Sequence, residues 1–296
     1  MELKVLSLMS SESTFSDPRL PPELERGIFE IAALARPTAI PVLMLVARRV
    51  RIWVEPLLYR VVFLKDVSMD NIGLPVFTAA TLEQISHNLR HVKYLFIDDE
   101  SIEVTDVEEW LLACPGITNL YAQFGCTPTI LPSISGFTGI RYLTIDVRAL
   151  WGTTVPLPLF LAVTHLELLD FTDEGDTVDR VCPNLSSMPC LTHMALNMYL
   201  DTLLSHAALC AITQLRCIVF LSTMAPSDGS PLLEDSRFVC IQEEVRYYTD
   251  WLNGAVFGED YWSLADAFLA ARHAGTISRS RYLICTGRDF ESVESD

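Results

Sequence analysis

The side chains best able to move protons or hold a metal near neutral pH are six histidines, His87, His91, His165, His193, His206 and His273. They are scattered. Cys190 and His193 stand three apart, a ligand-like spacing, but a zinc site needs a second pair and none lies nearby in the chain. His165 and His193 occupy equivalent positions of a recurring pattern, with Glu167 two residues past His165, so a base and an acid can be drawn side by side there. Polar residues on a solvated face meet the same spacing. The chain has no G-x-S-x-G elbow, no P-loop, no H-E-x-x-H and no dinucleotide glycine fingerprint. The sequence therefore predicts no catalytic residue, no metal and no cofactor. It points to recognition, in a protein that is not an enzyme.

Composition narrows the partners. Half of the 296 residues are hydrophobic, enough for a large core. The formal net charge is −17, from 38 acidic and 21 basic residues. Such a chain repels phosphate instead of releasing its counterions, which excludes non-specific nucleic-acid binding. The negative excess lies after residue 60, leaving the opening segment locally basic. The stretch MELKVLSLMSSESTFSD lacks a basic leader and a long apolar core, so it makes a poor signal peptide. The longest apolar run, Ile40 to Ala47, is far short of the roughly 20 residues that a membrane span needs. The eight cysteines form no C-x-x-C pair and have no secretory context. The expectation is reduced thiols in a cytosolic or nuclear protein, with Cys217 and Cys240 acting as small hydrophobes in apolar segments.

One pattern recurs along the middle of the chain, apolar-x-x-apolar-x-apolar. It begins at Val92, Ile117, Ile140, Val163, Leu191 and Leu215, at intervals of 25, 23, 23, 28 and 24 residues. These intervals lie within or close to the window of about 20–29 residues for leucine-rich repeats. A seventh start, Phe238, meets Glu243 at its last apolar position and is expected to be an edge unit. Each unit supplies a short strand whose first, fourth and sixth residues face a core, and stacked units make a parallel sheet. Helical returns are expected at Phe77 to Leu89, Thr105 to Cys114 and Ser205 to Ile212. The proline-rich stretches Pro128 to Gly136 and Val155 to Pro158 should make the middle returns irregular.

By the period-two rule, the third and fifth residues of each unit point the other way. They are Tyr94 and Phe96, Asn119 and Tyr121, Tyr142 and Thr144, His165 and Glu167, with Asp98 and Asp146 at strand ends. Aromatic and acidic residues on an open sheet face suit protein recognition. The alternative is that loops or the terminal helix of the same chain cover them.

Two helical segments flank the repeats. Leu20 to Tyr59 opens on Pro21 and Pro22, with Glu23 and Glu25 complementing a helix start and an apolar stripe at Leu24, Ile28 and Ile31. A second helix is expected over Ile40 to Trp53, apolar at its start and ending on Arg48, Arg49 and Arg51. Leu58 to Phe63 then reads as a short strand. At the other end, Val245 to Trp251 leads through Gly254 and Gly258 to a helix that Asp260 caps, with Trp262, Ala265, Phe268 and Leu269 on one face. It should cover the last edge of the sheet.

These segments resemble fungal (basidiomycete-type) F-box and leucine-rich-repeat proteins. The likeness rests on Leu20, Pro21, Glu23, Leu24, Ile28, Phe29, Leu43, Val46, Arg48, Trp53, Pro56, Leu57, Leu58 and Tyr59. At the C-terminal end it rests on Trp251, Gly258, Glu259, Asp260, Trp262, Ala265, Asp266 and Phe268. The chain departs from the usual Val-Cys-x-x-Trp of an F-box, having Val46, Ala47 and Val50, with Trp53 three residues later. The resemblance implies an α/β fold with a three-helix F-box-like segment at 20–60, a degenerate leucine-rich-repeat solenoid at 61–244 and a helical cap at 245–290. Flexible tails are expected at 1–19 and 291–296.

It also implies docking of the Skp-type linker subunit of a cullin-RING ubiquitin ligase through Leu20, Pro21, Leu24, Ile28, Phe29 and Val46. An unknown protein substrate would lie against Tyr94, Phe96, Tyr121, Tyr142, His165 and Glu167, with no nucleic acid and no membrane involved. The second reading keeps the repeats as an interaction module with a vestigial F-box and no ligase.

Overall fold

The computed structural model describes residues 20–64, 76–77, 83–97, 104–122, 136–150, 158–169, 185–197, 203–222, 226–242 and 247–285. Ten parallel strands form one sheet among these residues, stacked almost wholly in chain order: β1 (Val61–Leu64), β2 (Val76–Phe77), β3 (Tyr94–Ile97), β4 (Asn119–Ala122), β5 (Tyr142–Asp146), β6 (His165–Leu169), β7 (His193–Asn197), β8 (Cys217–Leu221), β9 (Phe238–Ile241) and β10 (Leu283–Ile284). The six expected units supply β3 to β8, in register. This is a solenoid-like α/β arrangement. Val92, Leu95 and Ile97, and their counterparts in later units, share one continuous core. Helix α4 (Val104–Ala113) and helix α5 (Leu203–Ala211) return the chain on that side.

The sheet reaches further than the repeats indicate. Phe238 starts a fully buried strand that is not the edge, because β10 pairs beyond it. At the other end β1 pairs with β3, and the two-residue β2 lies outside β1. Strand β1 starts at Val61, three residues later than expected, because Leu58 still belongs to a helix. The helix expected from Phe77 to Leu89 is instead a 3₁₀ helix over Glu83–His91, with Phe77 in β2. The expected tails, Asp98, and all but the last residue or so of the proline-rich stretches lie outside the described residues.

The opening segment forms α1 (Pro22–Ala35), α2 (Ile40–Leu43) and α3 (Arg48–Leu58), with a 3₁₀ turn at Pro37–Ala39. The single helix expected over Ile40 to Trp53 is broken, with Ala47 extended at φ −162° and ψ 155°. The break lets Leu43, Met44 and Ala47 pack on Val50 and Val54, which are buried with Ala33 and Ile40. It also places Arg48, Arg49 and Arg51 at the start of α3, not the end of a helix, where the dipole repels cations. Arg49 instead reaches Glu25 (2.6 Å) and Arg51 reaches Glu55 (3.1 Å).

The expected recognition face is closed. Helices α6 (Tyr247–Phe257) and α7 (Tyr261–Ala274) lie across the outward side of the sheet instead of only covering its last edge. The outward residues align in two rows. One is Tyr94, Asn119, Tyr142, His165 and His193; the other is Phe63, Phe96, Tyr121, Thr144 and Glu167. Strands about 4.8 Å apart make such rows stack: Phe96 on Tyr121 at 4.1 Å, Tyr142 on His165 at 4.2 Å and His165 on His193 at 4.0 Å between ring centroids. Trp251 meets Phe63 and Phe96 edge-on and donates its indole N–H to Asn119 Oδ1 at 2.8 Å. Trp262 stands edge-on to His165 and His193.

Two glycines let the helices fit. A Cβ on Gly254 would lie 2.5 Å from Asp260 Oδ2, and Gly258 turns the chain at φ +73°. Asp260 then caps α7 in a reciprocal capping box with Ser263. At its far end, Arg272 binds the carbonyls of Ser236 and Arg281, tying α7 to the approaches of β9 and β10.

Removing the indole of Trp251 leaves a cavity over Phe63 and Phe96 and a buried amide at Asn119. Trp251→Ala is expected to cost about 3–5 kcal/mol in urea unfolding, against less than about 0.5 kcal/mol for the exposed Leu161→Ala.

Candidate functional site

Two surfaces merit a functional reading, and they differ in kind. The first is apolar. Of the twelve large hydrophobic side chains exposed among the described residues, nine lie between Leu20 and Ile52. Leu24 is 58% exposed and Leu45 is 84% exposed, and Leu20, Ile28, Ile31, Val42 and Val46 are open as well. The α1 stripe therefore faces away from the hairpin core, and α2 adds to it. Of the six residues expected to dock a linker, Leu20, Pro21, Leu24, Ile28 and Val46 are exposed. Phe29 is not available: it is half-buried against the Val50 and Val54 cluster, because it falls on the opposite side of α1. Val50, where the chain departs from the F-box pattern, is fully buried, so that departure alters the hairpin interior and not its exposed face.

The second surface is the outward side of the sheet. Phe96, Tyr121 and Glu167 are buried, and Tyr94, Tyr142 and His165 are half-buried. The expectation that they lie open to a protein substrate is corrected for the first three, because Trp251, Tyr261 and Trp262 cover them. The sequence offered such cover only as the alternative, by loops or the terminal helix, and helices α6 and α7 supply it through Trp251 and Trp262. What stays open is a cleft of about 380 Å³, mouth included, where α6 and α7 diverge over β4, β5 and β6. Its interior admits only a group about the size of water.

The titratable groups here are strongly perturbed. Burial pushes the Glu167 carboxyl up to about 8, although Thr144 Oγ1–H donates to its Oε2 at 2.9 Å. Burial also raises Asp250 to about 7, with the negative Asp260 adding to the effect. His165 is lowered to about 3, by burial first and by His193 second. Its Nδ1 meets Thr164 Oγ1 at 2.8 Å. His193 Nε2 meets Asp266 Oδ1 at 3.0 Å, which fastens α7 to β7. A neutral imidazole stacked between rings and a protonated carboxyl make a packed polar seam. Among the described residues no three His, Cys, Asp or Glu side chains converge to hold a metal. Six described cysteines are free, and burial pushes the Cys114 and Cys217 thiols up to about 12. No described helix is long and apolar enough to cross a membrane.

No protein-family model matches the chain, and no curated protein matches it.

The perturbed carboxyls make stability depend on pH. Glu167 and Asp250 hold protons in the folded state that they lose in the unfolded chain, where carboxylates titrate near 4. Their contribution is full below about pH 4 and is lost as pH rises through about 7 and 8. His165 works the other way, but only below about 6.5. Between about pH 6.5 and 8, unfolding free energy should therefore fall with pH by up to about 1.4 kcal/mol per unit for each proton retained. Chemical denaturation across that window should show a shallower slope for Glu167→Gln than for the parent chain.

Proposed function

We propose that this protein is a non-enzymatic adaptor of a Skp/cullin/F-box-type ubiquitin ligase, working in the cytosol or nucleus. The observation that carries the reading is the exposed apolar face of α1 and α2, in a chain that otherwise covers even the aromatic outward side of its sheet. A linker subunit would bury Leu24, Ile28, Val42, Leu45 and Val46, and the arginines beside them suit an acidic partner. The sheet and its two covering helices, packed through Trp251 and Trp262, would hold a protein substrate. Its contribution to ubiquitin transfer is proximity: substrate and conjugating enzyme are held on one scaffold at high effective concentration. In residue terms the F-box-like segment would span 20–60 and the leucine-rich-repeat-like part 61–244.

Because Leu24 is exposed, Leu24→Asp should leave the thermal midpoint within about 2 °C of the parent. It should lower retention of a purified Skp-type linker subunit in size-exclusion co-elution by at least about tenfold. Absence of a complex between the parent chain and the linker at micromolar concentrations overturns the ligase reading. A standalone interaction module with a vestigial F-box then remains.

A further inference from the structure

All strands of a parallel sheet start at the same edge, so the residues just before them form a row across it. Backbone bonds fix that row here. The carbonyls of Lys93, Arg141 and Thr164 each accept two N–H groups from the next unit, at 2.8–3.1 Å. Each also accepts a threonine hydroxyl, from Thr118, Thr164 and Thr192 in turn, at 3.2 Å. The acceptors of this edge are thereby used within the chain.

Its cations are not. Lys93, Arg141 and Arg216 stand in the row and are exposed, and among the described residues none of them makes an ion pair or a side-chain hydrogen bond. Arg60, at the start of the row, instead donates to the Tyr94 hydroxyl at 3.0 Å. The approaches at 90–93, 114–118, 137–141, 161–164, 188–192 and 213–216 contain no aspartate or glutamate. In a chain of 38 acidic and 21 basic residues, that is a segregation by position. The acid follows the strands: Asp98, Asp99 and Glu100 come after β3, Glu243 and Glu244 after β9.

Helix ends account for part of this. Return helices run against the strands, so their negative C-terminal ends lie toward this edge and favour cations. That suits Lys93, just past the 3₁₀ helix of Glu83–His91, and Arg216, just past α5. No helix is described between β4 and Arg141. An arginine left unpaired beside saturated carbonyls is free to meet an anion from outside.

The spacing selects the shape of that anion. Strands about 4.8 Å apart put Arg141 about 10 Å from Lys93 and about 14 Å from Arg216 along the row. A straight row of about 24 Å fits an extended polypeptide, whose same-face side chains recur about every 6.8 Å. A long nucleic acid would carry its charge over the acidic remainder of the chain, whereas a short acidic segment is drawn to this edge and repelled elsewhere. We propose that the strand-entry edge, through Lys93, Arg141 and Arg216, docks an extended acidic segment of a protein partner. Naming that partner a ligase substrate rests on the adaptor reading; the docking chemistry does not.

The test uses the full chain and fluorescein-labelled probes of about ten residues, long enough to cross the row when extended. One peptide alternates glutamate with glycine, a second replaces glutamate by glutamine, and the third probe is an oligouridylate of matching length. In fluorescence anisotropy at about 0.05 M salt, the glutamate peptide should saturate in spite of the net charge of −17, and the glutamine peptide should not bind. Raising the salt to about 0.5 M should weaken binding at least about tenfold. Arg141→Glu and Arg216→Glu should each weaken it about fivefold, and both together at least about tenfold. Both sites are exposed, so the thermal midpoint should hold. Arg26→Glu, the same charge change on α1, should alter affinity less than about twofold. Equal losses from Arg26→Glu and Arg141→Glu, equal binding of the two peptides, or no saturation by the glutamate peptide overturns the proposal. Tighter binding of the oligouridylate overturns the peptide assignment in favour of single-stranded nucleic acid. A linker complex without peptide binding overturns this inference alone, and peptide binding without a linker complex overturns the adaptor reading alone.

Discussion

A parallel sheet has two faces, and both need cover. Each repeat buries its first, fourth and sixth residues against helical returns, which leaves two rows of outward side chains running across the strands. In this chain those rows carry the rings of Phe63, Tyr94, Phe96, Tyr121 and Tyr142 together with Asn119, Thr144, His165, Glu167 and His193, so their cover has to bury rings and satisfy polar groups at once. The rest of the structure follows from that constraint. Trp251 and Trp262 each fill part of the rows, α6 and α7 carry them, and Gly254, Gly258 and Asp260 let the two helices meet at the required angle. Arg272 then secures the far end of α7 near β9 and β10. The terminal helices are therefore a second layer over the sheet, and the protein is layered helix, sheet, helix over much of its length.

Legibility in the sequence followed the length of each signal. Six units in one register announce a stacked parallel sheet, because a hydrophobic pattern repeated at 23–28 residues has few other physical solutions. Strands β2 and β10 have two residues each, too short for any alternation to show. The break between α2 and α3 was hidden because Val42 to Val46 is apolar without a glycine or proline to mark a stop. Tertiary packing on Val50 and Val54 decided it. Outward and inward positions could be told apart by period alone, but what lay over the outward ones could not. Covering them is a contact between residues about 130 positions apart, as Asn119 and Trp251 show with a separation of 132. Glu167 was misleading for a related reason. A carboxylate at an outward position reads as solvated, yet here it is buried, pushed up to about 8 by that burial, and accepts a hydrogen bond from Thr144.

The N-terminal hairpin gains meaning from this contrast. Scattered exposed leucines are normal on any protein, and nothing follows from one of them. Here the chain closes its sheet face with two helices, yet leaves α1, α2 and the turn after α2 open along Leu24, Ile28, Ile31, Val42 and Leu45. The hairpin does not lack a core of its own, since Ala33, Ile40, Val50 and Val54 are buried beneath. Its open stripe is thus surplus to folding, which is the property expected of an interface. The buried place of Val50 matters for the same reason. A departure from the resembled pattern at an interior position changes packing inside the three helices and leaves the outer stripe intact.

The cover and the cleft are built from the same few residues, so the packing of the second layer and the protonation of its carboxyls are coupled. Asp260 starts α7, and its capping box consumes the amides that would make a helix N-terminus attract anions. Asp250 does the same for Tyr261. Once those amides are satisfied by side chains of the protein, the remaining acceptor capacity of the three carboxyls faces a space lined with rings. Burial forces two of them toward the neutral acid, a state in which they fit the apolar layer. The seam that holds the second helical layer down is therefore also the part of the molecule whose stability follows pH, through the protons that Glu167 and Asp250 keep when buried.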